Sequence, residues 1–148
     1  MPIQQVTPMQ AVASFLEKEI EKKEKALINA LAYVGESCLA EMRSNYNYQD
    51  QTGNLTSSKG YVLAVDGKVI KASSFDTVKS GAQGAATGEA FLRRIAGQFP
   101  RGIVLVVGAG MKYAFELSAK GYNVIDSAET MAARLVPVIL KQLGFVKR

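Results

Sequence analysis

The chain has 148 residues, 48% hydrophobic and 21% charged, with a formal net charge of +5. That length fits one domain with a real core, and that balance excludes a disordered chain. Histidine and tryptophan are absent and Cys38 is the only cysteine. These absences exclude an internal disulfide, a cysteine zinc site and every Ser-His or Cys-His nucleophile pair.

Only carboxylate, lysine or tyrosine chemistry is left for an enzyme, so the expectation is a non-enzyme without cofactor or metal. Met1 to Thr7 is polar, and no apolar run approaches the length of a membrane span, so a soluble product made in a cytoplasm, with no membrane partner, is expected. Charge is uneven: residues 1–53 carry 5 basic against 7 acidic side chains, residues 54–123 carry 9 against 4, and residues 124–148 carry 4 against 2. The basic middle would suit an acidic partner or nucleic acid, or be an ordinary mixed surface.

From about Met9 to about Asn45, apolar residues at Val12, Leu16, Ile20, Leu27, Leu31, Val34, Cys38 and Met42 step by three, four and seven. That predicts one long helix with a single apolar stripe. Pro8 suits its first turn and Thr7 its N-cap. Such a helix would be about 50 Å long, more than a small domain spans, so one end projects or packs on a neighbour. The stripe serves as an oligomer seam or faces the core; the core is expected for its C-terminal half.

Asn45 to Ser58 reads as turn chemistry. Tyr61 to Val65 and Lys68 to Ala72 then read as strands joined by the two-residue turn Asp66-Gly67. Ser73 to Thr87 is rich in Ser, Gly, Ala and Thr and reads as a long mobile loop, able to reach a neighbour through Phe75 and Lys79. Gly88 to Gln98 predicts a short helix with Phe91, Leu92 and Ile95 inward and Arg93 and Arg94 outward, ended by Pro100.

The unbroken apolar run Ile103 to Val107 predicts a central strand buried on both faces, stopped at Gly108-Ala109-Gly110. Met111 to Lys120 is helix or strand, the helix preferred. Tyr122 to Ile125 predicts a further short strand. Asp126, with Glu129 in the capping-box position, opens a last helix that kinks or breaks near Pro137 and stops at Gly144. The fold class expected is α+β: one domain of residues 1–148, with the long N-terminal helix and a C-terminal helix packed on a small, mainly antiparallel sheet.

Three motifs invite chemistry. Gly108-x-Gly110 after an apolar strand is similar to a dinucleotide-binding turn, but Tyr113 stands where a third Gly or Ala belongs, and too little chain remains for a doubly wound sheet. Arg93, Arg94, Arg101 and Lys112, with Tyr113 and Phe115 nearby, could form a basic patch, but no recognised nucleic-acid motif accompanies them and sequence-specific binding is not expected. Glu116, Asp126 and Glu129 could suggest a metal cluster, though capping accounts for the latter two.

Asp50-Gln51-Thr52-Gly53-Asn54-Leu55-Thr56-Ser57-Ser58, then the hairpin at Tyr61, then Val107-Gly108-Ala109-Gly110-Met111-Lys112-Tyr113-Ala114 running on to Lys120-Gly121-Tyr122-Asn123-Val124, follow one another in an order that carries a family likeness. It resembles the small minor tail-component, or tail-completion, proteins of lambda-like long-tailed phages and prophages. In that family a Thr-Gly-Asn-Leu turn links the long helix to the hairpin, and a late Tyr-Ala segment precedes a Gly turn. The chain departs from the pattern at Lys59, where an apolar residue is common, so that the first strand would start later. It departs again at Glu116 and Ser118, which replace an aromatic and a glutamate.

The resemblance implies a structural virion-assembly protein: an oligomeric ring adaptor at the head–tail junction or upper tail, contacting copies of itself and other neck or tail proteins. It implies residence in the virion and, during assembly, in the bacterial cytoplasm, with no catalysis and no cofactor. Its contacts would come from the long helix, from Phe75 and Lys79 in the loop, from Arg93 and Arg94, and from Tyr113, Phe115, Glu116 and Tyr122. The alternative is a small basic nucleic-acid-associated regulatory protein.

Overall fold

The computed structural model describes residues 8–111 and 114–145. Eight elements follow in order: helix α1 (Met9–Ser44), the single turn α2 (Asn54–Ser57), strands β1 (Lys59–Val65) and β2 (Lys68–Ala72), helix α3 (Ala82–Gly97), strand β3 (Ile103–Ala109), and helices α4 (Ala114–Ala119) and α5 (Asp126–Gln142). The sheet is three-stranded and antiparallel throughout, in the order β2-β1-β3. The chain is thus α+β, with the N- and C-terminal helices on a small antiparallel sheet. A doubly wound nucleotide fold, which needs parallel strands, is not formed among the described residues.

β1 alternates its side chains between two helical layers, as a strand must. Tyr61 and Leu63 face α1, where Leu31, Val34, Cys38, Leu39 and Met42 cover them, while Val62 and Ala64 face Leu92 and Ala96 of α3. α5 lies beside α1 and adds Ala128 and, more openly, Ala132, Leu135, Val136 and Ile139. Asp66 and Gly67 both have positive φ, as a type I′ hairpin turn requires. The Asp66 carboxylate also accepts the Gly102 amide at 2.8 Å, tying the hairpin to the start of β3.

Several expectations are corrected. β3 is an edge strand and β1 is central; an apolar run signals burial but not which strand lies beside it. β1 begins at Lys59 itself rather than later. Helix α3 begins at Ala82, so the segment read as a loop to Thr87 ends six residues early.

The small residues of α3 serve a close helix crossing. A Cβ on Gly84 would lie 2.1 Å from the Asn54 carbonyl oxygen, and one on Gly88 would lie 2.3 Å from that of Ser58. Helix and α2 turn therefore touch backbone to backbone. The preceding loop is bound to its own domain: Ser57 Oγ accepts the Val78 amide at 2.8 Å, Lys79 Nζ donates to the Asp50 carbonyl at 2.6 Å, and Arg43 pairs with Asp76 at 3.1 Å.

Residues 122–125 are not a strand. Asn123 is used as a clamp: its amide nitrogen donates to the Asn45 carbonyl at the end of α1, while its Oδ1 accepts the Ser127 amide at the start of α5. The Glu129 amide bonds to the Ile125 carbonyl rather than to the Asp126 side chain, so the expected Asp126–Glu129 capping box is not formed. Residues 114–119 settle the open segment as helix. α5 runs unbroken through Pro137 and ends in a Schellman turn, with Phe145 N–H on Leu140 C=O and Gly144 at φ 82°. Thr7, expected as the N-cap of α1, lies outside the described residues; Pro8 precedes the helix and its carbonyl accepts the Ala11 and Val12 amides.

Candidate functional site

The Asp50–Ser58 motif is structural. Asp50 Oδ1 accepts the Gly53 amide at 3.0 Å and Oδ2 the Thr56 amide at 2.7 Å, which satisfies free donors of α2. Gly53, at φ 81°, makes the turn, and Asn54 Oδ1 receives the Gly84 amide at 3.0 Å. Tyr48 Oη and Thr56 Oγ1 lie 3.1 Å apart beneath it. The motif locks α1, α2 and α3 together.

Lys59 is fully buried, with its ammonium 2.6 Å from the Met42 carbonyl, one of the last carbonyls of α1. The rings of Tyr46 and Tyr48 lie 4.6 and 4.8 Å from the nitrogen. The cation thus closes the negative end of the helix and stacks on two aromatic faces. Desolvation lowers its pKa from 10.5 to about 8, against the Asp50 carboxylate, which raises it, and with Arg43, which lowers it further. Cys38 is buried, with its thiol directed at the Ala128 carbonyl, and burial raises its pKa, so it lacks the thiolate character of a reactive cysteine.

Among the described residues, no group of acidic or cysteine side chains could hold a metal. Glu116, Asp126 and Glu129 do not come together as one. The Ser118 hydroxyl donates to Asp126 at 2.7 Å and, with nearby backbone amides, holds its carboxyl below the usual range. Gly110 serves a close approach: a Cβ there would lie 2.4 Å from the Gly88 Cα, and its amide donates to the Ser58 carbonyl.

What remains unused is surface. The Gly110–Ser58 and Asp66–Gly102 main-chain bonds bracket the β1–β3 ladder. With that register, Val104, Val106 and Gly108 turn their amides and carbonyls toward β1, and Ile103, Leu105 and Val107 turn theirs outward. The outward groups meet no main-chain partner among the described residues. β3 carries no Lys, Pro or bulge that would blunt it, whereas the opposite edge, β2, carries exposed Lys68 and Lys71 and a bulge at exposed Ile70.

An apolar hollow lies on each side of the β3 edge. One, of about 660 Å³, is floored by Ile103, Leu105 and Val107 and walled by Leu27, Leu31 and the α5 residues Ala128, Ala132, Val136 and Leu140, with Glu129 as its one charged lining residue. The other, of about 880 Å³, lies between α3, α4 and the start of α5, against Phe91, Arg94, Met111, Phe115 and Val124.

The first half of α1 is bare. Every residue from Pro8 to Lys25 is exposed, including Met9, Val12, Phe15, Leu16 and Ile20. The apolar residues of the stripe from Met9 to Ile20 are therefore uncovered among the described residues, while Lys23 reaches over the Phe145 ring at 5.8 Å.

The residues singled out in sequence are dispersed. Phe115, 81% exposed, and Arg94, stacked on Phe91 at 5.4 Å, border the larger hollow. Arg93 pairs with Glu89 on the outer face of α3, and Glu116 and Tyr122 are exposed on and just after α4. Phe75 packs over Gly60 in its own core and Lys79 is held by Asp50. Tyr113 and Lys112 lie outside the described residues. Sequence reasoning missed the floor and wall of the smaller hollow, Leu105, Val107, Ala132 and Leu140; the available signal was an apolar run without a blunting residue. Comparison with protein-family models, with curated proteins and with solved structures returns no match.

Proposed function

We propose that this chain is a structural assembly subunit, an oligomeric adaptor of the kind found at the head–tail junction or upper tail of long-tailed phages. The observation that carries the assembly reading is the unblunted seven-residue edge strand β3, bordered by apolar hollows, in a molecule whose longest helix leaves half its apolar stripe bare. Free domains hide such surfaces; subunits keep them for neighbours. The virion setting rests on the sequence resemblance alone.

The nucleic-acid reading has less behind it. Of the nine basic residues in 54–123, Lys59 is buried, Lys79 is bonded to the Asp50 carbonyl and Arg93 is paired with Glu89. Mass spectrometry of particles purified from an induced prophage that carries the gene tests the assignment. The chain is expected in the particles at a fixed copy number; its absence from particles that contain every other neck and tail protein contradicts it.

A further inference from the structure

We infer that the bare half of α1 in one copy of this chain docks into the hollow between β3 and α5 of the next copy. The inference rests on the assembly reading above and names the partner of that surface. The helix cannot serve its own hollow. α1 is one uninterrupted helix from Met9 to Ser44, and Leu27 already forms one end of the hollow, so residues 9–26 run away from it.

Two other occupants fit less well. Pairing two bare α1 halves would put Leu16, Ile20 and Leu27 in the seam with Lys23 between the last two, a cation at a position that such a seam keeps apolar. Pairing two β3 edges would use the outward main-chain groups of Ile103, Leu105 and Val107 and leave the bare half of α1 uncovered.

The α1 stripe has the right chemistry for the hollow, because its later turns already pack on Leu63, Leu105 and Val107 within the chain. Residues 9–26 rise about 27 Å, enough to cover the roughly 17 Å of strand from Ile103 to Val107 that floors the hollow and to run on past it. The contact is head to tail, helix of one copy to hollow of the next, and such contacts close into rings when the rotation between copies permits.

Sedimentation velocity on three full-length proteins tests this. The wild type is expected to self-associate as its concentration is raised to about 100 µM. The double variant Leu16→Asp, Ile20→Asp loses the helix surface, at positions that are exposed and do not bear on folding. Ala132→Arg fills the hollow, with Leu140→Glu as a second hollow variant should the first fold poorly. Each variant alone is expected to stay monomeric. An equimolar mixture of helix and hollow variants is expected to give dimers and nothing larger, because one intact helix meets one intact hollow.

Variants that still self-associate, or a mixture that stays monomeric while the wild type associates, overturn the inference and leave the assembly reading standing. A wild type that is monomeric throughout also overturns it. The assembly reading itself fails on a different result, absence of the chain from particles.

Discussion

At the residue scale the strongest constraint is the buried lysine. Lys59 is charged in both folded and unfolded chains below about pH 8, where its burial opposes folding in full. Between about 8 and its ordinary value of 10.5 the folded chain gives up the proton first, so stability rises with pH across that window. Tyr61 works the other way. Burial and its 2.6 Å hydrogen bond to Glu36 raise its hydroxyl pKa above the ordinary 10.0, so its contribution is complete below pH 10 and is lost at higher pH. Denaturant unfolding should therefore show greater stability at about pH 9 than at about pH 7; above that the Cys38 thiol, raised from 9.0 by burial, adds its loss to that of Tyr61, and together they overtake the rise, giving a decline above about 10. Lys59→Met should remove the rise and keep the decline, because a well-packed apolar side chain replaces a buried ion at little or no cost. An unchanged rise in that variant would show that another group causes it.

Asp50 is the second residue-scale test. Removing its carboxylate leaves the Gly53 and Thr56 amides without their acceptor, so Asp50→Ala should destabilise by about 2 kcal/mol, read as a lower denaturant midpoint at unchanged slope.

At the scale of elements, α3 reverses an ordinary expectation. Gly→Ala inside an open helix stabilises by about 1 kcal/mol. At Gly84 the added methyl would meet the Asn54 backbone, so Gly84→Ala should instead destabilise by about 1–3 kcal/mol, measured by thermal or denaturant unfolding. Gly97, where an added methyl would find nothing within 4 Å, is the control and should show no such loss.

The same run shows where sequence reading stopped. Gly, Ala and Ser suit a mobile loop and a backbone-to-backbone helix crossing equally well, and only the presence of α2 on the other side decides between them. The hairpin was legible because Asp66-Gly67 acts locally, as was the long helix, because its stripe keeps one period from Val12 to Met42. β3 was legible as a strand but not as an edge, since strand order is set by partners distant in sequence. The hollow was illegible for the same reason: its floor lies near residue 105 and its walls lie near 27 and 136.

At the scale of the whole molecule, the fold divides into a packed body and open apolar surfaces. The motif that carries the family likeness, Asp50 to Ser58, is spent on joining α1, α2 and α3, and the one buried cation among the described residues closes a helix end. The free chemistry lies in two apolar surfaces that a lone domain would bury, the stripe from Met9 to Ile20 and the β3 edge. An adaptor needs this division: a rigid body and exposed contacts that find shape only in a neighbour. The most direct test removes the gene from a producing prophage and counts joined and unjoined particles by negative-stain electron microscopy. Filled heads and free tails that fail to join, restored by the wild-type chain and not by Leu16→Asp, Ile20→Asp, are the predicted result. Heads and tails that join at the normal frequency without the gene would contradict the account.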